Sequence, residues 1–257
     1  MSILRTLLVQ ARIDWNDPSS NRQRIAGMLD LAESGFDLAV LPETFTTGFL
    51  GDGGSSDEDM DGPTVEWMQA TAEKHRCAVA GSLVICESGE RFNRFLFVTA
   101  DGVKARYDKR HLFSYGGEDS HYTAGNQRVV FEHLGWRINL QVCYDLRFPA
   151  WCRNRDDYDL MLLVANWPIR RIHHWSVLLE ARAIENQAWV LGLNRVGKDG
   201  NGLVYPGCSA VHGPMGETLL KLGDEETTRV VEMDLEAVIQ SRKRFPFQND
   251  ADAFTIV

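Results

Sequence analysis

The chain has 257 residues, 44% hydrophobic and 25% charged, the proportions of a soluble globular protein. A net charge of −9 excludes nucleic acid as the main partner, because a phosphate backbone demands a basic face. No apolar run nears the roughly 20 residues of a membrane span, and MSILRTLLVQARIDW turns polar at Gln10, Arg12 and Asp14, too early for a signal peptide. The five cysteines (77, 86, 143, 152 and 208) form no CxxC pair and no zinc pattern, so reduced thiols in a cytoplasmic protein are the expectation.

Leu4–Val9 opens the chain as a short β-rich run. Asp17 and Pro18 then cap and start a helix to about Glu33, where Ile25, Met28, Leu29 and Ala32 recur at three- and four-residue steps and Gly35 follows as terminator. Asp37–Leu41 is an unbroken apolar run, as buried parallel strands are, and Pro42 ends it. Gly51–Asp61 reads as an exposed acidic loop without the ligand spacing of an EF-hand. Pro63 opens a second helix through Val65, Trp67, Met68 and Ala72. Strands are expected at Ala78–Ile85, Arg94–Thr99, Val129–Glu132, Ile138–Val142, Leu160–Ala165, Trp189–Leu193 and Arg229–Met233. Helices are expected at about His174–Gln187 and from Leu235 to Arg242. Interspersed strands and helices make a mixed α/β protein. The strand-dense middle suits two sheets packed together with helices outside, and the lack of a Pro-, Gly- or Ser-rich linker or a repeat indicates one domain over 1–257.

Chemistry could sit in three places. Glu43 lies just past the strand Leu38–Leu41, where ligand sites gather in open α/β sheets; a surface glutamate at a strand exit is the plainer alternative. Lys109 lies in the charged stretch YDKRHL after the strand-like VKARY, either simply solvated or placed to steady a thiolate or an oxyanion. Cys143 ends the strand RINLQV abruptly before Arg147-Phe148-Pro149, a strand–nucleophile–turn plan that exposes the side chain and frees the Tyr144 N–H, though a buried core cysteine reads the same way. A Cys–His pairing with His111, His173, His174 or His212 stays open, since no histidine has a selecting signature. Adjacent His173 and His174 do not share a helix face, so no metal site is expected.

Together the segments LPETFTTGF, YDKRHLF and CYDLRFP resemble the nitrilase (carbon–nitrogen hydrolase) superfamily, whose Glu–Lys–Cys triad runs in this chain order. The resemblance continues through NWP, HWSVLLEARAIENQ and NRVG and covers nearly the whole chain. NRFLFV, DYDL, VANWP, NRVGKDGNG and FPFQNDADAF point to the omega-amidase (2-oxoglutaramate amidase) branch. The resemblance implies a four-layer α-β-β-α sandwich that associates as homodimers or larger assemblies through its outer helices. It implies catalytic Glu43, Lys109 and Cys143, with the family's second glutamate at Glu118 in GGEDSHYTAG. It implies hydrolysis of a small amide, the terminal amide of a short dicarboxylic acid monoamide, through a thioester and without metal or organic cofactor. Nitrile or N-carbamoyl hydrolysis, and a non-catalytic binding role, are the alternatives. Around the triad, the Tyr144 N–H is a candidate oxyanion donor. Arg147 is the candidate carboxylate partner, with a structural ion pair to Asp145 as its alternative, and Trp167 and Phe45 are candidate pocket walls or core residues.

Overall fold

The computed structural model describes residues 2–50 and 57–256. In chain order the first half contains β1 (Ile3–Gln10), α1 (Pro18–Leu31), β2 (Leu38–Val40), α2 (Pro63–His75), β3 (Ala78–Glu87), β4 (Glu90–Thr99) and β5 (Gly102–Asp108). The second half contains β6 (Val130–His133), β7 (Trp136–Val142), α3 (Pro149–Cys152), β8 (Leu160–Ala165), α4 (Ile172–Asn186) and β9 (Trp189–Asn194). A short hairpin of β10 (Val196–Lys198) and β11 (Val204–Pro206) follows, then β12 (Ala210–His212), β13 (Thr218–Lys221), β14 (Thr227–Asp234) and α5 (Leu235–Arg244).

The strands form two six-stranded sheets, ordered β14-β1-β2-β3-β4-β5 and β13-β12-β9-β8-β7-β6. Each has a parallel centre (β1, β2, β3 in one; β7, β8, β9 in the other) and antiparallel flanks. Side-chain alternation then assigns the layers. Leu160, Leu162 and Val164 of β8 face inward to meet Leu4, Leu8, Val40, Phe95 and Phe97 of the other sheet in one buried cluster. Met161, Leu163 and Ala165 face outward beneath Trp175, Leu179 and Ala183 of α4. On the other sheet Leu7 and Val9 of β1 pack outward under Ile25 and Leu29 of α1 and Met68 and Ala72 of α2. The result is the expected α-β-β-α sandwich.

The local signals explain the helix bounds. The Asp17 side chain accepts from the Ser20 N–H at 3.1 Å and Pro18 stands in the first turn, so α1 starts where expected. It ends at Leu31, with Ala32 already extended, two residues short of the expected Glu33. Of the acidic loop expected over 51–61, residues 51–56 lie outside the described residues. Glu58, at its far end, is not simply solvated: its carboxylate accepts from Thr64 N at 2.8 Å in the first turn of α2 and pairs with Arg22. That anion sits at the positive end of the helix dipole.

Candidate active site

The site is built at the carboxyl ends of the central strands, where each sheet's chain turns away. After β2, Glu43 precedes Thr44, a β-branched residue held at φ 41°. After β7, Cys143 itself sits at φ 44°, opening a 3₁₀ turn over Cys143–Arg147. Left-handed backbone at non-glycine residues is costly, of the order of 1–3 kcal/mol, and persists only where neighbours hold it. The first bend is held by the Ser82 hydroxyl, which accepts from Thr44 N at 2.8 Å. The second is held by Asp145, whose carboxylate accepts from Val142 N (3.0 Å), His111 N (3.0 Å) and the Tyr107 hydroxyl (2.7 Å).

Three of the expected residues converge around one ammonium group. Lys109, at the exit of β5, is 1% exposed and donates to Glu43 Oε1 at 3.0 Å and to Glu118 Oε1 and Oε2 at 2.9 and 2.8 Å. Glu43 and Glu118 are fully buried, and Phe113 N also donates to Glu118 at 2.6 Å. Burial alone would strip the lysine of its proton, but the charges of Glu118 and Glu43 hold it firmly protonated. Burial raises the Glu118 carboxyl, and Lys109 opposes that shift. Cys143 is half-buried beside them, its Sγ 4.0 Å from the Asn166 carbonyl oxygen. Its thiol is pushed well above the ordinary value, first by burial and then by the Glu43 charge, with Lys109 working the other way. Burial therefore favours the thiol over the lysine-stabilised thiolate that a nearby cation alone would suggest.

Cys143 lies on a cavity of about 490 Å³, also lined by Lys109, Tyr144, Arg147, Trp167 and Arg171. The Tyr144 N–H belongs to the first turn of the 3₁₀ segment, whose N–H groups lack intrahelical partners. Arg147 does not pair with Asp145, whose oxygens are taken by His111, Tyr107 and Val142. Its guanidinium lies over the Trp167 ring at 4.7 Å and beside His174 Nδ1 at 3.3 Å, and no described carboxylate forms an ion pair with it. Burial lowers its pKa, and the like charge of Arg171 adds to that.

Phe45 departs from expectation. Thr44's left-handed backbone breaks the strand alternation, so Glu43 faces the site while Phe45 turns into the outer layer, 5.9 Å from the Trp67 ring. The Cys–His alternative gains no support, since no histidine is among the groups acting on the Cys143 thiol and His173 lies against His174. His111 is fixed on Asp145 and stacked on Phe148 at 3.7 Å, and His212 sits beside Thr218. His174 faces Arg147, and the charged groups acting on the thiol are Glu43, Lys109 and Glu118. Among the described residues no cluster of three His, Cys, Asp or Glu could hold a metal ion, and no helix is long and apolar enough to cross a membrane.

Comparison with known proteins is decisive for the family: the carbon-nitrogen hydrolase family model matches residues 6–243. The chain belongs to the carbon–nitrogen hydrolase family. It is 45% identical to the omega-amidase YafV of Escherichia coli K12 over 254 residues, 98% of each chain. It is 32% identical to the 2-oxoglutaramate amidase of Bacillus subtilis, over 94% of this chain and 95% of that one. Its structure superposes with a TM-score of 0.97 on a CN-hydrolase superfamily protein of Xanthomonas campestris, 44% identical over the full length of both, whose crystal structure carries an arsenic adduct in the active site. Two further residues of this carbon–nitrogen hydrolase touch the Glu43 carboxylate, Asn93 and Asn166. Asn166 was visible only as part of NWP and Asn93 only as part of NRFLFV; Arg171, which lines the cavity, carried no sequence signal.

Proposed function

We propose that this carbon–nitrogen hydrolase is an omega-amidase, releasing ammonia from the terminal amide of a short dicarboxylic acid monoamide such as 2-oxoglutaramate or succinamate. One observation carries the reading: a single cavity has a thiol beside a buried carboxylate–lysine pair in its wall and an arginine that no carboxylate among the described residues pairs with. The amide end fits the first and the free carboxylate the second. The names of the Escherichia coli and Bacillus subtilis relatives support it.

In the proposed reaction Glu43 takes the Cys143 proton as sulfur bonds to the amide carbon, and the carbonyl electrons move to oxygen. The Lys109 ammonium and the Tyr144 N–H hold that oxyanion. When the carbonyl re-forms, the C–N bond breaks and Glu43 gives its proton to nitrogen, which leaves as ammonia. The same carboxylate then draws a proton from water, which attacks the thioester. Collapse breaks the C–S bond and returns the proton to sulfur. Glu118 keeps Lys109 in place throughout, and each step is complete with side chains and water.

The test is ammonia release from a panel of monoamides, neutral amides, N-carbamoyl compounds and nitriles, with Cys143→Ala as control. Turnover of succinamate-type substrates that Cys143→Ala abolishes is the expected result. Nitrile turnover without amide turnover, or no turnover of any member, overturns it. We also propose a homodimer through the outer face of α4, where the apolar Val177 and Ile184 are exposed. A monomeric mass in solution by light scattering would refute that assembly.

A further inference from the structure

The geometry points to Asn93 and Asn166 as positioning residues for the base: two amides, one from each sheet, brace the Glu43 carboxylate and aim it at the Cys143 thiol. This rests on the reading of Glu43 as the base. A carboxylate without exposure takes up a proton unless donors hold its charge. Lys109 gives Glu118 two contacts (2.9 and 2.8 Å) and Glu43 one, at 3.0 Å. The asparagines supply the other contacts to Glu43. Asn93 Nδ2, on β4, donates to Glu43 Oε1 at 2.8 Å and reaches Glu118 Oε1 at 3.3 Å, so it stands between the two like charges. Asn166, just past β8, donates to Glu43 Oε2 from its backbone N at 2.7 Å and from Nδ2 at 3.2 Å. Its Nδ2 also reaches the Glu43 carbonyl oxygen (3.0 Å) and Thr44 Oγ1 (3.1 Å), holding the strained bend itself.

Three of the four nitrogen donors to the Glu43 carboxylate are amide N–H groups, the fourth being the Lys109 ammonium, and an amide N–H holds a carboxylate without offering it a proton at neutral pH. Amide orientation follows from the same chemistry, since a flipped asparagine would set its oxygen against a carboxylate. The Oδ1 atoms of both asparagines are buried without a hydrogen-bond partner among the described residues, so the amides are oriented by what their nitrogens hold. The other titratable groups around Glu43 are Lys109, Glu118, Cys143 and Tyr205. None of them supplies the contacts that the two amides make.

The experiment uses the full-length protein with Asn93→Ser, Asn166→Ser and the isosteric Asn166→Asp. Removing a donor to a charged carboxylate should move the acid limb of kcat/KM upward by about one pH unit. The loss, about tenfold on the limb and mostly in kcat, should then shrink at alkaline pH. Asn166→Asp, adding a like charge without changing shape, should move the limb further in the same direction. The protonated-carboxyl infrared band, assigned to Glu43 by its loss in Glu43→Gln, should follow the same shifts without relying on turnover. Loss of activity with the limb and the band unmoved would show mere structural support and overturn the inference. An inactive wild-type protein would overturn the amidase reading instead, and the infrared titration would still decide this one. If the serine variants fail to fold, Asn166→Asp carries both readouts.

Discussion

Replacing Arg147 with methionine keeps most of the side-chain volume and deletes the charge. The proposed omega-amidase reading then makes a sharp demand. A bidentate guanidinium–carboxylate contact involves charge-assisted hydrogen bonds, which contribute about 1.5–3 kcal/mol. Arg147 is half-buried on an aromatic platform, so solvent screens the contact only partly, whereas the like charge of Arg171 should leave some attraction in place. The loss for an anionic monoamide should therefore be roughly 10- to 100-fold in kcat/KM, carried by KM, at 1.36 kcal/mol per factor of ten. A neutral amide of equal length should lose less than about threefold. Steady-state ammonia release with succinamate and butyramide at two salt concentrations makes the comparison. Equal losses for both substrates, or a loss in kcat alone, would refute the assignment of Arg147 to the substrate carboxylate.

The state of the sulfur gives a second expectation: the ultraviolet thiolate absorbance of the wild type minus Cys143→Ala should be absent at neutral pH and emerge only in alkali, because burial and Glu43 raise that thiol. A thiolate signal at neutral pH would contradict it. Asp145→Ala should destabilise the fold by about 3 kcal/mol in chemical denaturation, since it strands buried donors from Val142, His111 and Tyr107. A change below about 1 kcal/mol would mean that the turn holds itself. Asp159 provides the pH dependence. Burial would raise its carboxyl, but Arg137 at 2.6 Å and Arg242 at 3.1 Å bring it below the ordinary value. Its stabilising contribution is thus complete above the unfolded carboxylate range and lost as pH falls through the lower folded value. The acid-side stability difference between wild type and Asp159→Asn should shrink in that window and stay constant above about pH 6.

The parallel strands at the centre of each sheet were legible because burial on both faces writes unbroken apolar runs, as in LAVL and LMLLVA. The hairpin β10–β11 and strands β12 and β13 were not, since three- and four-residue strands among glycines carry too little pattern to separate from loops. Glu43, Lys109 and Cys143 stood out as parts of motifs at strand ends. Their asparagine partners did not, because the contact from Asn166 to Glu43 spans 123 positions of sequence and exists only once two sheets face each other. Phe45 was misplaced for a local reason: nothing in PETF announces that a threonine will adopt φ 41° and reverse the alternation.

Glu43 and Lys109 belong to one sheet, and Cys143 belongs to the other. The apolar layer of Leu8, Val40, Phe97, Leu140 and Leu162 between them is consequently a spacer that sets the width of the reaction gap. Interiors packed to crystal-like density transmit a change of even one methylene. A residue far from any substrate, such as Leu162, can then retune turnover by moving proton acceptor and sulfur relative to each other. Thermal stability and catalytic rate would drift together in variants of that layer, because one set of contacts governs both.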